Sequence, residues 1–288
     1  MVMISVIQLG TIPYGEGLRI QQKLVDLRKA GTIGDVLLLL EHSPVITLGR
    51  NAKAANVLAS TELLAARGVE VYECDRGGDV TFHGPGQIVG YPIFDLRGFN
   101  RQPSDISRQK NSGQESGVRA QEERVCDEGH TFTRKMLGAV DYVRRLEEVL
   151  ICACRGFGIA AKRISGLTGV WTDAEPAAKV AAIGVHISRS VTSHGFALNV
   201  NTDLSYFDLI VPCGIAARPV TSVRKELGVE ADVVVVAEAL AANFGAVFGR
   251  EVRRVESVNE LLGHIIGVPM KKPLELQQLH GRDRTFNV

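Results

Sequence analysis

Apolar residues recur at helical spacing in some stretches of the chain and form short unbroken or alternating runs in others. In GEGLRIQQKLVDLRKAG (15–31), Ile20, Leu24 and Leu27 share one face and Gly31 stands where a helix closes, which predicts a helix. DVLLLLEH (35–42) and VITLGR (45–50), split by Ser43-Pro44, predict two strands. Ser60 is suited to cap a short helix through LLAARG, closed by Gly68 and followed by a strand over VEVYEC. Farther on, Val140, Val143, Leu146 and Leu150 in AVDYVRRLEEVLICACRGFG predict one apolar face of a helix. KVAAIGVHIS and VTSHGFALNVN predict a hairpin. ADVVVVAEALAANFGAVFG predicts a buried helix, although VVVV alone reads as a strand, and SVNELLGHIIG predicts a last short helix.

Interleaved helices with recurring hairpins imply an α+β fold, a mixed and largely antiparallel sheet packed with helices, rather than a doubly wound parallel one. One domain is expected over residues 1–250, with a C-terminal extension at 251–288 made of a short helix and a polar tail from Met270. Between about residues 101 and 135 the pattern lapses into polar, mixed-charge sequence with few large apolar groups, which predicts a disordered insertion.

Composition narrows the class. Of 288 residues, 45% are hydrophobic, and 33 Lys and Arg nearly balance 32 Asp and Glu, so a soluble globular protein without a nucleic-acid partner is expected. No signal peptide and no stretch able to span a membrane is visible. The five cysteines are an odd number at irregular spacings, which fits neither a disulfide framework nor a zinc site and points to the cytoplasm. Cys126 and His130 have no second ligand pair nearby, and Cys152 and Cys154 point to different faces of one helix, so no metal is assigned. GPGQIVG has the wrong glycine spacing for a dinucleotide fingerprint, and no GK[ST] occurs.

Two places carry candidate chemistry. Arg76 to Gln87, RGGDVTFHGPGQ, crowds four glycines with Arg, Thr, His and Gln, which suits either close approach of a ligand or two tight turns with polar tips. Cys213 lies between Pro212 and Gly214, on a turn that can expose a thiol and aim the next N–H groups at a carbonyl, although a free cysteine more often packs as a small apolar residue. A thiol of pKa about 8.5 is only a few per cent thiolate at neutral pH, so nucleophilic use requires a neighbouring cation or base. Lys179, His83, His186 and His194 are the available helpers. Lys179 opens an apolar strand, either as a solvated strand end or as a desolvated group able to favour a thiolate and accept a proton. His83 and His194 flank glycines as possible ligand contacts, and His186, inside a strand, reads as a satisfied, partly buried side chain.

RGGDVTFHGPGQIVGY, GLTGVWTD, KVAAIGVHI, HGFALNVN and FDLIVPCGI together resemble the lipoyl(octanoyl)-protein transferases, over roughly residues 5–99 and 137–250. The resemblance implies a fold similar to lipoate- and biotin-protein ligases. It implies that Cys213 carries octanoate as a thioester with Lys179 as its dyad partner. It assigns acyl binding to Arg76, Gly77, Gly78, Asp79, Val80, Thr81, Phe82 and His83, to Ala182, Ile183 and Gly184, and to Gly195, Phe196 and Ala197. Octanoyl-acyl carrier protein is the implied donor. Lipoyl domains of 2-oxoacid dehydrogenase complexes and the glycine cleavage H protein are the implied acceptors, and no cofactor is implied. Alternatives are an ATP-dependent lipoate-protein ligase, a noncatalytic lipoyl-domain-binding protein, and a Cys-His hydrolase using His83 or His194. The 101–135 segment departs from the family pattern and is expected to be a tolerated surface loop.

Overall fold

A computed structural model describes residues 3–99, 136–212 and 218–263. The insertion expected at 101–135, Cys213 and the polar tail lie outside the described residues. Eight strands form one sheet. In chain order they are β1 (Met3–Ile12), β2 (Asp35–His42), β6 (Gln87–Ile93), β7 (Ala161–Ile164), β8 (Leu167–Thr172), β9 (Lys179–Ser188), β10 (Val191–Asn199) and β11 (Glu251–Arg254). Their spatial order is β11-β1-β2-β6-β10-β9-β8-β7, with β1 parallel to both β11 and β2 and the remaining pairs antiparallel. A second sheet has β3 (Val45–Leu48) between β4 (Glu70–Glu73) and β5 (Val80–His83). The fold is the expected α+β class with a mixed, mostly antiparallel sheet.

Helices cover both faces of the large sheet. On one face α3 (Ala139–Gly156) packs over β7 to β10 beside α5 (Val233–Phe248), which reaches β11 and, through Phe244 on Phe196, β10, burying Leu146, Leu150, Phe196, Leu198, Phe244 and Phe248. On the other, α1 (Tyr14–Lys29) lies on β6 and β10, and α6 (Val258–Gly263) joins the same core through Val258, Leu261 and Leu262. The segment after residue 250 is thus integrated as far as it is described: β11 hydrogen-bonds along β1. In α5, the Asp232 carboxylate accepts from the N–H groups of Val234 and Val235, and this cap favours the helix over the strand that four valines otherwise prefer. Ser60 accepts from Leu63 N–H and caps α2 (Thr61–Ala66) as its spacing predicts.

Two expectations are revised. The buried side of α3 runs through Tyr142, Leu146, Val149, Leu150 and Ala153, whereas Val140 is 71% exposed, because it stands about half a turn round the helix from Tyr142, Val149 and Ala153. Strands β1, β5, β6, β7, β8 and β11 have no counterpart in the sequence pattern: β5, β7 and β11 are four residues long, β6 and β8 carry glycines, and β1 alternates irregularly.

Glu147 of α3 is fully buried. It takes hydrogen bonds from Arg144 (2.6 Å), Arg163 (3.0 Å) and the Gly169 N–H of β8 (3.2 Å), and so fastens the β7–β8 hairpin to the helix layer. Replacing Glu147 by Ala strands that N–H, and the expected loss is about 2 kcal/mol or more in urea unfolding. Val140→Ala should change stability by less than about 0.5 kcal/mol in the same assay.

Candidate active site

A cavity of about 410 Å³ lies between the two sheets. Its floor is the face of the large sheet opposite α3 and α5, and the residues there are small: Ala182 pairs with Ala197, and Gly184 with Gly195, across β9 and β10. Gly195 admits no side chain, since a Cβ there would stand 2.1 Å from the Gly90 carbonyl oxygen. Val89 and Tyr91 of β6 border the floor, and Tyr14 of α1 joins them. The roof is the smaller sheet, through Thr81 and His83 of β5 and the loop that carries Arg76, Gly78 and Asp79.

Strand alternation sorts the expected acyl-binding residues. Arg76, Gly78, Asp79, Thr81 and His83 border the cavity. Val80 and Phe82 point the opposite way, into a core with Ile46 and Phe207, and Gly77 turns its N–H to Val185 O at 3.0 Å. Ile183 and Phe196 border the cavity through their strands while their side chains pack in the α3–α5 core.

Lys179 also borders the cavity and is only 7% exposed, so the solvated strand end is excluded. Its ammonium lies 4.7 Å from the centroid of the buried Trp171 ring, a cation–π contact. Its backbone N–H donates to Pro219 O (2.8 Å), and its carbonyl accepts from Thr221 N–H (2.9 Å).

Arg76 and His83 belong to a hydrogen-bond chain whose direction is set by its donors. Arg76 donates to Thr47 O (2.7 Å) and to Thr47 Oγ1 (2.9 Å), leaving the Thr47 hydroxyl proton for His83 Nε2 at 3.4 Å. Gln87 uses its amide N–H groups on Phe82 O (3.2 Å) and Asn199 Oδ1 (2.8 Å), so its oxygen accepts from His83 Nδ1 (2.7 Å). Asn199 in turn donates to Thr221 O (2.9 Å), beside Lys179. Both ring nitrogens of His83 are thereby engaged. His194 is held differently: its Nε2 donates to Asp75 (2.7 Å), and His186 Nδ1 donates to the other oxygen of the same carboxylate.

The model of the lipoyl protein ligase A/B catalytic domain matches residues 13–112 and 131–245, and the break falls inside the polar 101–135 stretch. An octanoyltransferase of Koribacter versatilis is 52% identical over 281 residues, 98% of either chain. The chain belongs to the octanoyltransferases, and it is an acyltransferase. A second family member, from Acidobacterium capsulatum, is 50% identical over 90% of this chain and 96% of its own. The fold is that of lipoate-protein ligases. A bipartite lipoate protein ligase of Thermoplasma acidophilum superposes with a TM-score of 0.61 at 14% identity, over 91% of this chain and 90% of that one. A lipoate-protein ligase A bound with ATP gives a TM-score of 0.62 at 13% identity, over 90% of this chain and 91% of the other.

Several residues that line the cavity of this octanoyltransferase or support its walls escaped the sequence pattern. Val89 and Tyr91 follow Gln87 in strict alternation, a signal that could have placed them on its face. Thr47, polar within an apolar strand, was a second one. Nothing near Asp75 or Tyr14 announces their partners, which are distant in the chain.

Burial pushes His83 down to about 3, with the nearby His42 adding to the effect, and pushes His42 down to about 4 against the pull of its bond to Ile12 O. Both are neutral when folded and become protonated on unfolding once the pH is below their ordinary value of 6.5. The unfolded chain then binds more protons, so stability falls as pH drops. Between pH 6.5 and 5, above the carboxylate range, chemical denaturation should show a loss approaching about 1.4 kcal/mol per pH unit for each of the two. A flat profile there would contradict neutral, buried imidazoles.

Proposed function

We propose that this chain transfers an octanoyl group from octanoyl-acyl carrier protein to the lysine of a lipoyl domain, through a thioester on Cys213 with Lys179 as its proton partner. The observation that carries the proposal is where the chain flanking Cys213 is anchored. Pro212, the residue before it, shares a small void with Lys179, and on the other side Pro219 and Thr221 hydrogen-bond the Lys179 backbone. A buried ammonium beside a thiol favours the thiolate. The cavity leading away from Lys179 has the apolar, small-residue floor that an alkyl chain requires.

In the first half-reaction Cys213 and Lys179 stand as a thiolate–ammonium pair and the thiolate attacks the octanoyl carbonyl. The carbonyl–sulfur bond to the carrier breaks, and the departing thiolate takes a proton from Lys179, which is left as the neutral amine. In the second, the acceptor amine attacks the acyl-enzyme, a C–N bond replaces the C–S bond, and Lys179 carries the amine proton to the Cys213 sulfur. Thioester exchange followed by amide formation runs downhill without ATP. The acceptors are lipoyl domains of 2-oxoacid dehydrogenase complexes and the glycine cleavage H protein; the related Thermoplasma ligase is described with its E2 lipoyl domain. The compartment proposed is the cytoplasm, in keeping with the free thiols of Cys74, Cys152 and Cys154.

Mixing the protein with octanoyl-acyl carrier protein in the absence of ATP should add one octanoyl group to the Cys213 peptide, read by mass spectrometry, and a lipoyl domain should discharge it. Cys213→Ala should give no adduct, and Lys179→Met should slow its formation by at least about a hundredfold. Acylation that needs ATP and survives Cys213→Ala would replace this proposal with a ligase.

A further inference from the structure

The end of the cavity away from Lys179 is closed by a loop, and one exposed carboxylate holds that loop down. Gly77 crosses directly over Gly184 of β9: a Cβ on Gly184 would stand 2.7 Å from the Gly77 carbonyl oxygen, and the Gly77 N–H donates to Val185 O at 3.0 Å. The neighbours of Gly77, Arg76 and Gly78, line the cavity at this point.

Lys179 and Gly184 are five residues apart on β9, a span of about 17 Å. An extended eight-carbon acyl chain is about 9 Å long. The thioester link to a cysteine and the contact distance of about 4 Å at the terminal methyl bring it close to that span. Each further pair of carbons adds about 2.5 Å, which must come out of the end wall.

The roof loop is well tied to its own sheet, through Arg76 to Thr47 and through the Arg50 and Asn51 N–H groups to Arg76 O and Gly78 O. To the large sheet it is tied, among the described residues, by the Gly77 bond and by Asp75, whose two oxygens accept from His186 and His194. The Asp75 carboxylate has an exposed side chain (62%), whereas His194 is buried, borders the cavity and has its N–H held by the Gln21 side chain. Without Asp75, the end wall rests on the large sheet through a single peptide bond's N–H.

We propose that Asp75, by bridging His186 and His194, is a positioning residue that holds the end wall of the cavity and so sets the length of acyl chain the enzyme accepts. This rests on the acyl-transfer reading above. Acyl-enzyme formation would be timed in single turnovers with carrier proteins bearing C6, C8, C10 and C12 chains. The unaltered protein should favour C8, and Asp75→Ala should raise its C12-to-C8 rate ratio at least tenfold. Asp75→Asn, which can accept from only one of the two rings through its amide oxygen, should fall between and serves if the alanine variant does not fold. A general loss of stability would lower all four rates and leave the ratio alone. An unchanged ratio in a folded variant would overturn the inference while leaving acyl transfer intact, whereas no acyl-enzyme from any chain in the unaltered protein would overturn both.

Discussion

Where Gly77 passes over Gly184, backbone lies directly on backbone with no room for a single side-chain carbon. That contact fixes how closely the smaller sheet approaches the larger, and the cavity is the space left over. It would collapse if the floor carried ordinary strand residues facing a flat roof, and it would gape if the roof were held farther off. The Ala182–Ala197 and Gly184–Gly195 pairs supply depth below, and the Asp75 and Gly77 links to β9 and β10 keep the roof in contact.

The polar groups of the roof serve this geometry more than they serve a ligand. Arg76 spends its donors on Thr47 and on the Gly77 carbonyl, and His83 is locked between Thr47 and Gln87 as a neutral ring. A buried cation that donates to backbone and hydroxyl oxygens holds a loop rigidly. Asp75 has the complementary character. Burial alone would raise its pKa, but the hydrogen bonds and charges of His194 and His186 outweigh that and keep the carboxyl below its ordinary value, ready to accept from both rings. Lys179 borders the cavity floor in contact with the face of Trp171.

Much of this was legible in the chain. The apolar runs gave β2, β3, β9 and β10, and the cap Ser60 marks a true helix start. The resemblance carried by RGGDVTFHGPGQ and KVAAIGVHI led to the walls of the cavity and to Lys179. What stayed hidden was set by tertiary packing. Val140 is predicted on the buried face yet stands in solvent, Val80 and Phe82 lie in a motif yet face the core, and the clasp joins Asp75 to residues more than a hundred positions away. Strand β1 reads poorly because it alternates irregularly, yet it carries parallel neighbours on both sides.

The most direct measurement is a crystal structure of the octanoyl-enzyme, in which the alkyl chain should lie between the two sheets with its reacting end at Lys179. Electron density should run over Ala182 and Ala197 and end under the Arg76–Gly78 loop, with the thioester within about 3–4 Å of Lys179 Nζ. An acyl chain lying outside the space between the sheets, or a thioester remote from Lys179, would contradict it.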